Sequence, residues 1–136
     1  MTRKIRLTTK GDCDIKNITE VVEKEIRFCK LKDGIVTVFV PGSTAGVTTI
    51  EYEDGVLVDL ENLLERVIPS DIPYQHDYRW MDGNGHAHVR SALIGTSLTI
   101  PFIGNKLLLG KWQQIIFLDF DNRPRDRTLI LQIIGE

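Results

Sequence analysis

SLTIPFIGNKLLLGKWQQIIFLDFDNRPRDRTLILQII, residues 97–134, carries four strand-like runs with no helical period between them. Ser97 to Phe102 and Lys106 to Leu109 flank Ile103-Gly104-Asn105, a hairpin signal. Gln114 to Phe120, apolar from Ile115 to Leu118, reads as a strand, and Thr128 to Ile134 is the last. Between those two, Asp121 to Asp126 reads as a polar turn. Strands therefore crowd the end of the chain instead of alternating with helices. That pattern disfavours a doubly wound sheet and predicts an α+β fold with mostly antiparallel sheet, two main helices and a short third.

Working outward, residues 2–9 alternate Ile5 and Leu7 against Lys4, Arg6 and Thr8, which predicts a strand. Ile15, Ile18, Val21, Val22 and Ile26 recur at helical spacing and predict a first helix from Ile15 to Phe28, with Asn17 and Glu20 spaced as a capping box. Ile35 to Val40 and Val47 to Tyr52 predict two more strands, separated by Pro41-Gly42-Ser43. Leu57, Leu60, Leu63, Leu64 and Val67 predict a second helix stopped by Pro69. Residues 69–86 are rich in Pro, Gly, Asp and His and are expected to form a long functional loop. A short third helix is expected from Val89 to Ile94.

The totals bound the function. The 136 residues suit one domain, 1–136, able to bury a core without a disulfide or metal staple. Apolar residues at 42% and charged residues at 26% are ordinary globular values, and a net charge of −2 gives no overall basic footprint for nucleic acid. Cys13 and Cys29 lack CxxC spacing and read as reduced thiols. No window approaches the roughly 18 apolar residues of a membrane span, and the N-terminus lacks a signal-peptide core. A cytoplasmic protein with no membrane partner is expected.

All the histidines, His76, His86 and His88, fall within one short segment. Neutral imidazole ligates zinc and related metals, titrates near neutrality, and also serves as a plain loop residue. Spacing alone leaves the three roles open. His86 and His88 share a face only if the backbone there is extended; on a helix their rings point about 200° apart. GSTAG, residues 42–46, could form an anion nest, although an ordinary strand connection is the favoured reading. Arg123, Arg125 and Arg127 have the forked geometry that suits phosphate, but a solvated turn with local ion pairs is again favoured. Glu51 ends an apolar stretch and would need a partner if buried.

GNGHAHVRSALIGTS (residues 83–97) and LGKWQ (109–113), with STAGVTTIE (43–51) and VIPSD (67–71), together resemble the YjbQ family, also called UPF0047. The likeness runs over roughly residues 3 to 135. It implies a small α+β sandwich, usually a homotrimer, in a largely uncharacterised family associated with a side activity as thiamine-phosphate synthase. That reaction joins a hydroxymethylpyrimidine diphosphate to a thiazole phosphate and releases pyrophosphate. The family's site pattern falls on Glu51, Asn84, His86, His88, Ser91 and Ser97. The resemblance assigns His86, His88, Glu51 and Ser91 to catalysis, and Asn84, Arg90, Thr96 and Ser97 to a small phosphorylated or anionic ligand. His76, His86 and His88 would hold a divalent metal, zinc suiting imidazole better than magnesium. Binding of metal and anion without this chemistry is the alternative. Gly42-Ser43 stands where many members have a His-Thr pair, and Lys111 where many have Thr.

Overall fold

The computed structural model describes residues 1–136. Eight strands and four helices follow in the order β1 (Thr2–Thr9), β2 (Asp14–Asn17), α1 (Thr19–Phe28), β3 (Gly34–Phe39), β4 (Ala45–Glu51), α2 (Asp54–Val67), α3 (Gln75–Trp80), α4 (Gly85–Ile94), β5 (Ser97–Ile103), β6 (Lys106–Leu107), β7 (Gln113–Asp119) and β8 (Arg125–Gly135). All strand pairs are antiparallel, in one sheet of order β1-β8-β3-β5-β6 and a second of order β2-β7-β4. The expected α+β sandwich is what the chain forms.

Period 2 puts Val36, Val38, Leu129, Leu131, Ile133, Ile100 and Phe102 on the inner face of the first sheet. They meet Val47, Ile115 and Phe117 from the second sheet, with Val22 and Ile26 of α1 closing one side. The intervening residues of β7, Ile116 and Leu118, face the other way, into a smaller cluster with Phe120, Leu64 of α2 and Ala87 of α4. β7 is thus covered on both faces, which is why its sequence is unbroken rather than alternating. The layers are five-stranded sheet, three-stranded sheet, helices. No helix is long and apolar enough to cross a membrane.

Three local expectations change. The helix expected from Ile15 starts at Thr19, because Asp14–Asn17 pairs with Ile116–Asp119 as β2. Pairing with the buried β7 outweighs helical period in its first turn. Asn17 still serves the helix start, its Oδ1 accepting from the Thr19 N–H at 3.1 Å and the Thr19 hydroxyl at 2.7 Å, while Glu20 takes no part. The long loop expected over 69–86 contains α3 and the start of α4, so the helices number four. α3 has no buried residue and left no apolar period to read. The hairpin turn is Gly104-Asn105 alone, with φ of 58° and 62° as a type I′ turn requires.

Candidate functional site

The site lies where α3, the turn after it and the start of α4 meet the β3–β4 and β7–β8 turns. α3 packs against α4 because Gly85 has no side chain: a Cβ there would overlap Cβ of Tyr74. The Gly85 N–H also donates to Asp77 Oδ1 at 2.9 Å. Left-handed backbone at Met81 (φ 54°) and Gly83 (φ 67°) then turns the chain back on itself and carries Asp82 beside His76. One turn into α4, His88 stacks near His76 with ring centroids 4.4 Å apart.

His76, Asp82 and His88 therefore converge, with one ligand atom from each all within 4.8 Å of one another. His76 Nδ1 is buried, stands 3.2 Å from Asp82 Oδ1, and forms no hydrogen bond. A buried ring nitrogen without a hydrogen-bond partner, aimed at a carboxylate and a second imidazole, is the geometry of a cation ligand set. Two imidazoles and one carboxylate suit zinc, iron or manganese and leave positions open. Asp82 Oδ1 is steadied by the Asn84 N–H at 3.1 Å.

His86 is elsewhere. α4 has begun by Gly85, so His86 and His88 point to different sides of it. His86 is buried and lines a separate cavity with Cys13, Glu65 and Arg90. Burial, aided by the Arg90 charge, pushes its imidazole below the ordinary range and favours the neutral form. Burial likewise pushes the Cys13 thiol up to about 11, so it is inert at neutral pH.

Beside Asp82 and His88 stands a cluster of arginine, hydroxyl and carboxylate groups. Arg127 is buried, its Nε and Nη2 donating to the two carboxylate oxygens of buried Asp119, each at 2.8 Å, with Nη2 also 2.7 Å from the Thr44 hydroxyl. This residue is no part of a solvated turn. Asp121, 1% exposed, accepts from Thr44 Oγ1 at 3.1 Å, Asn84 Nδ2 at 3.3 Å and Arg125 Nη1 at 3.0 Å. Those bonds tie both turns and the metal-side segment together. Arg123 is exposed and Arg125 half-buried, and both keep guanidinium donors unused. The main-chain N–H groups of Ser43 and Thr44 make no hydrogen bond within the chain. These groups share a basin of about 280 Å³ with His88, Asp82 and Asn84, in which Pro41 supplies the one apolar surface.

Of the residues expected at the site, His76, His88 and Asn84 are brought together. Ser91 is buried and its hydroxyl donates to the Ala45 carbonyl at 2.6 Å, pinning α4 to β4. Ser91→Ala is expected to cost about 1–2 kcal/mol in urea unfolding, the loss of one buried hydrogen bond, and to leave the basin intact. Arg90 is spent on the Ile68 carbonyl, at 3.0 and 2.8 Å, and on Glu65 at 2.8 Å. Thr96 precedes β5 and Ser97 opens it, both outside the basin lining, and the Thr96 carbonyl accepts from the Val40 N–H. Glu51 is exposed at the far end of β4, about 20 Å from the basin end at a strand's rise per residue. Asp82, Asp121 and the paired arginine and serine turns were each visible in the sequence, but nothing in their spacing joins them.

The family model described as UPF0047 protein YjbQ-like matches residues 3–136. A UPF0047 protein of Methanocaldococcus jannaschii is 38% identical over 98% of this chain and 94% of its own length. One from Archaeoglobus fulgidus is 36% identical over 96% and 98%. Among solved structures, a YbjQ-like protein of unknown function from Sulfolobus solfataricus superposes with a TM-score of 0.94 at 27% identity, covering 100% of this chain and 97% of that one. An uncharacterized member from Clostridium acetobutylicum gives 0.89 at 36% identity, covering 97% and 99%. The chain belongs to the UPF0047, YjbQ-like family.

Proposed function

We propose that the basin is a metal-dependent site for a small phosphorylated ligand, with His76, Asp82 and His88 holding a transition metal such as zinc and Arg123, Arg125 and the Ser43–Thr44 amides holding phosphate. The observation that carries this reading is that two members of the converging His76–Asp82–His88 trio, Asp82 and His88, line the same basin as the unused arginine donors. A metal there would act as a Lewis acid on a ligand oxygen. The chain's own groups supply orientation: arginine forks fix phosphate in two directions, and Asp121 fixes Arg125. Asn84 holds Asp82 in place from behind.

Thiamine-phosphate synthesis, the activity implied by the family resemblance, stands second. Its departing pyrophosphate would use the same anion wall, but its two heteroaromatic rings meet no apolar wall in the basin. A homotrimer, also implied by the resemblance, is supported by the outer face of the five-stranded sheet, where Ile35, Phe39 and Ile134 are 40%, 42% and 61% exposed. Light scattering should give three times the chain mass.

The test is to purify the protein without added metal, dialyse against zinc, and measure metal by elemental mass spectrometry, then titrate inorganic phosphate by calorimetry. Zinc near one per chain is expected. Arg123→Ala and Arg125→Ala should each weaken phosphate roughly tenfold or more, the loss of a charge-assisted hydrogen bond. A protein that holds neither zinc nor phosphate would sink the proposal.

A further inference from the structure

The two walls of the basin differ in chemistry and face one cavity. One offers Asp82 and His88, with His76 behind them completing a cation ligand set. The other offers guanidinium and amide donors. A volume of about 280 Å³ holds on the order of nine water-sized groups. A single inorganic phosphate fills about half of that, so a ligand that occupies the basin has a body beyond its phosphate.

The lining decides what that body is. Apart from the Pro41 ring every lining residue is polar, charged or glycine. An apolar body would displace water from carboxylate, imidazole and amide groups and return nothing to them, which costs free energy for each group left unpaired. A hydroxylated body replaces the water it displaces, group for group. Sites built this way reject analogues lacking the hydroxyl far more strongly than apolar pockets reject an added methylene.

We infer that the basin takes a short, hydroxylated phosphomonoester, its phosphate on Arg123, Arg125 and the Ser43–Thr44 amides and its hydroxyl oxygens toward the Asp82 and His88 side. This inference rests on the proposed metal-and-phosphate reading and narrows its ligand class. It also makes selectivity depend on the metal wall, while phosphate affinity as such depends on the arginine wall.

The experiment compares glycerol 3-phosphate with n-propyl phosphate, nearly the same shape without the hydroxyls, and with phenyl phosphate. Each is titrated by calorimetry into the zinc-loaded protein and into His88→Ala, with inorganic phosphate as reference and a thermal melt to verify folding. Asp82→Asn serves as a second variant should His88→Ala fail to fold. Glycerol 3-phosphate is expected to bind roughly tenfold or more tightly than n-propyl phosphate, with the preference collapsing in the variant. Equal affinities for the two esters, with inorganic phosphate still bound, would overturn the inference and leave the metal-and-phosphate reading standing. Tighter binding of phenyl phosphate would overturn it too, by showing an apolar body accommodated. Failure of inorganic phosphate itself to bind would bring down the underlying reading, and this inference with it.

Discussion

Arg127→Ala is expected to destabilise the protein by about 3–5 kcal/mol, because it leaves a buried carboxylate without its charge partner. In a chain of this size that is a fall in Tm of roughly 10–15 °C. Asp119 is fully buried and accepts both arms of the Arg127 guanidinium, the Thr9 hydroxyl at 2.6 Å and the Asp121 N–H at 3.1 Å. Burial works against its ionisation. The Arg127 and Thr9 hydrogen bonds more than offset this and hold its pKa below the ordinary aspartate value. The native carboxylate thus binds a proton less readily than the unfolded one. Its contribution to stability is complete above the unfolded aspartate pKa near ~4. It is lost as pH falls through the lower native value. Denaturation followed from pH 7 to pH 2 should show a flatter acid limb in Arg127→Ala than in the parent. An Asp119→Leu/Arg127→Met double variant removes both charges together and should recover most of the stability. A single variant no less stable than the parent would show that the pair carries none of the fold's stability.

His88→Ala should weaken zinc binding by roughly 100-fold or more, whereas His86→Ala should leave it within about twofold. Removing one of three protein ligands takes away a first-sphere bond, while the His86 ring sits on another side of α4 among Cys13, Glu65 and Arg90. Competition with a chromogenic chelator at fixed pH reads both values in one series. Loss of zinc in both variants would mean that α4 unwinds near Gly85 to bring the two rings onto one face. Loss in neither would move the metal away from this segment. The contrast between the two single variants says which ring matters.

The strands and helices were legible because burial writes itself into spacing. β1 alternates Ile5 and Leu7 against Lys4, Arg6 and Thr8, β7 is apolar without a break from Ile115 to Leu118, and α2 repeats at three and four, each following from how many faces the element hides. β2 was not legible because Ile15 and Ile18 fit a helical period as well as they fit a strand, and only the presence of β7 alongside decides between them. α3 was invisible for the opposite reason: it buries nothing, so no period marks it. The site was half legible. The crowding of three histidines marked the segment in which His76, Asp82 and His88 meet, while the arginine and serine turns read chiefly as a solvated turn and an ordinary strand connection. Which histidine pairs with His76 depended on whether α4 had begun by Ala87, a boundary the sequence leaves open. Ser91 and Arg90 looked functional by residue type, yet their hydrogen bonds are spent on Ala45 and Ile68, carbonyls that only the folded chain brings near.

The position of β8 also governs how the protein is made. This last strand of the fold lies between β1 and β3 in the five-stranded sheet. Until residues 125–135 leave the ribosome, β1 has no partner and β3 is paired on one side alone. The inner faces of both stay wet, and folding must wait for pairings that join distant parts of the chain. The turn that bears Arg123 and Arg125 leads directly into β8, so the anion wall forms in the same late event as the middle of the sheet. A nascent chain halted at residue 120 would carry His76, Asp82 and His88 and lack Asp121 and Asn122, whose hydrogen bonds to Asn84 and the Asp82 carbonyl tie that segment to the sheet.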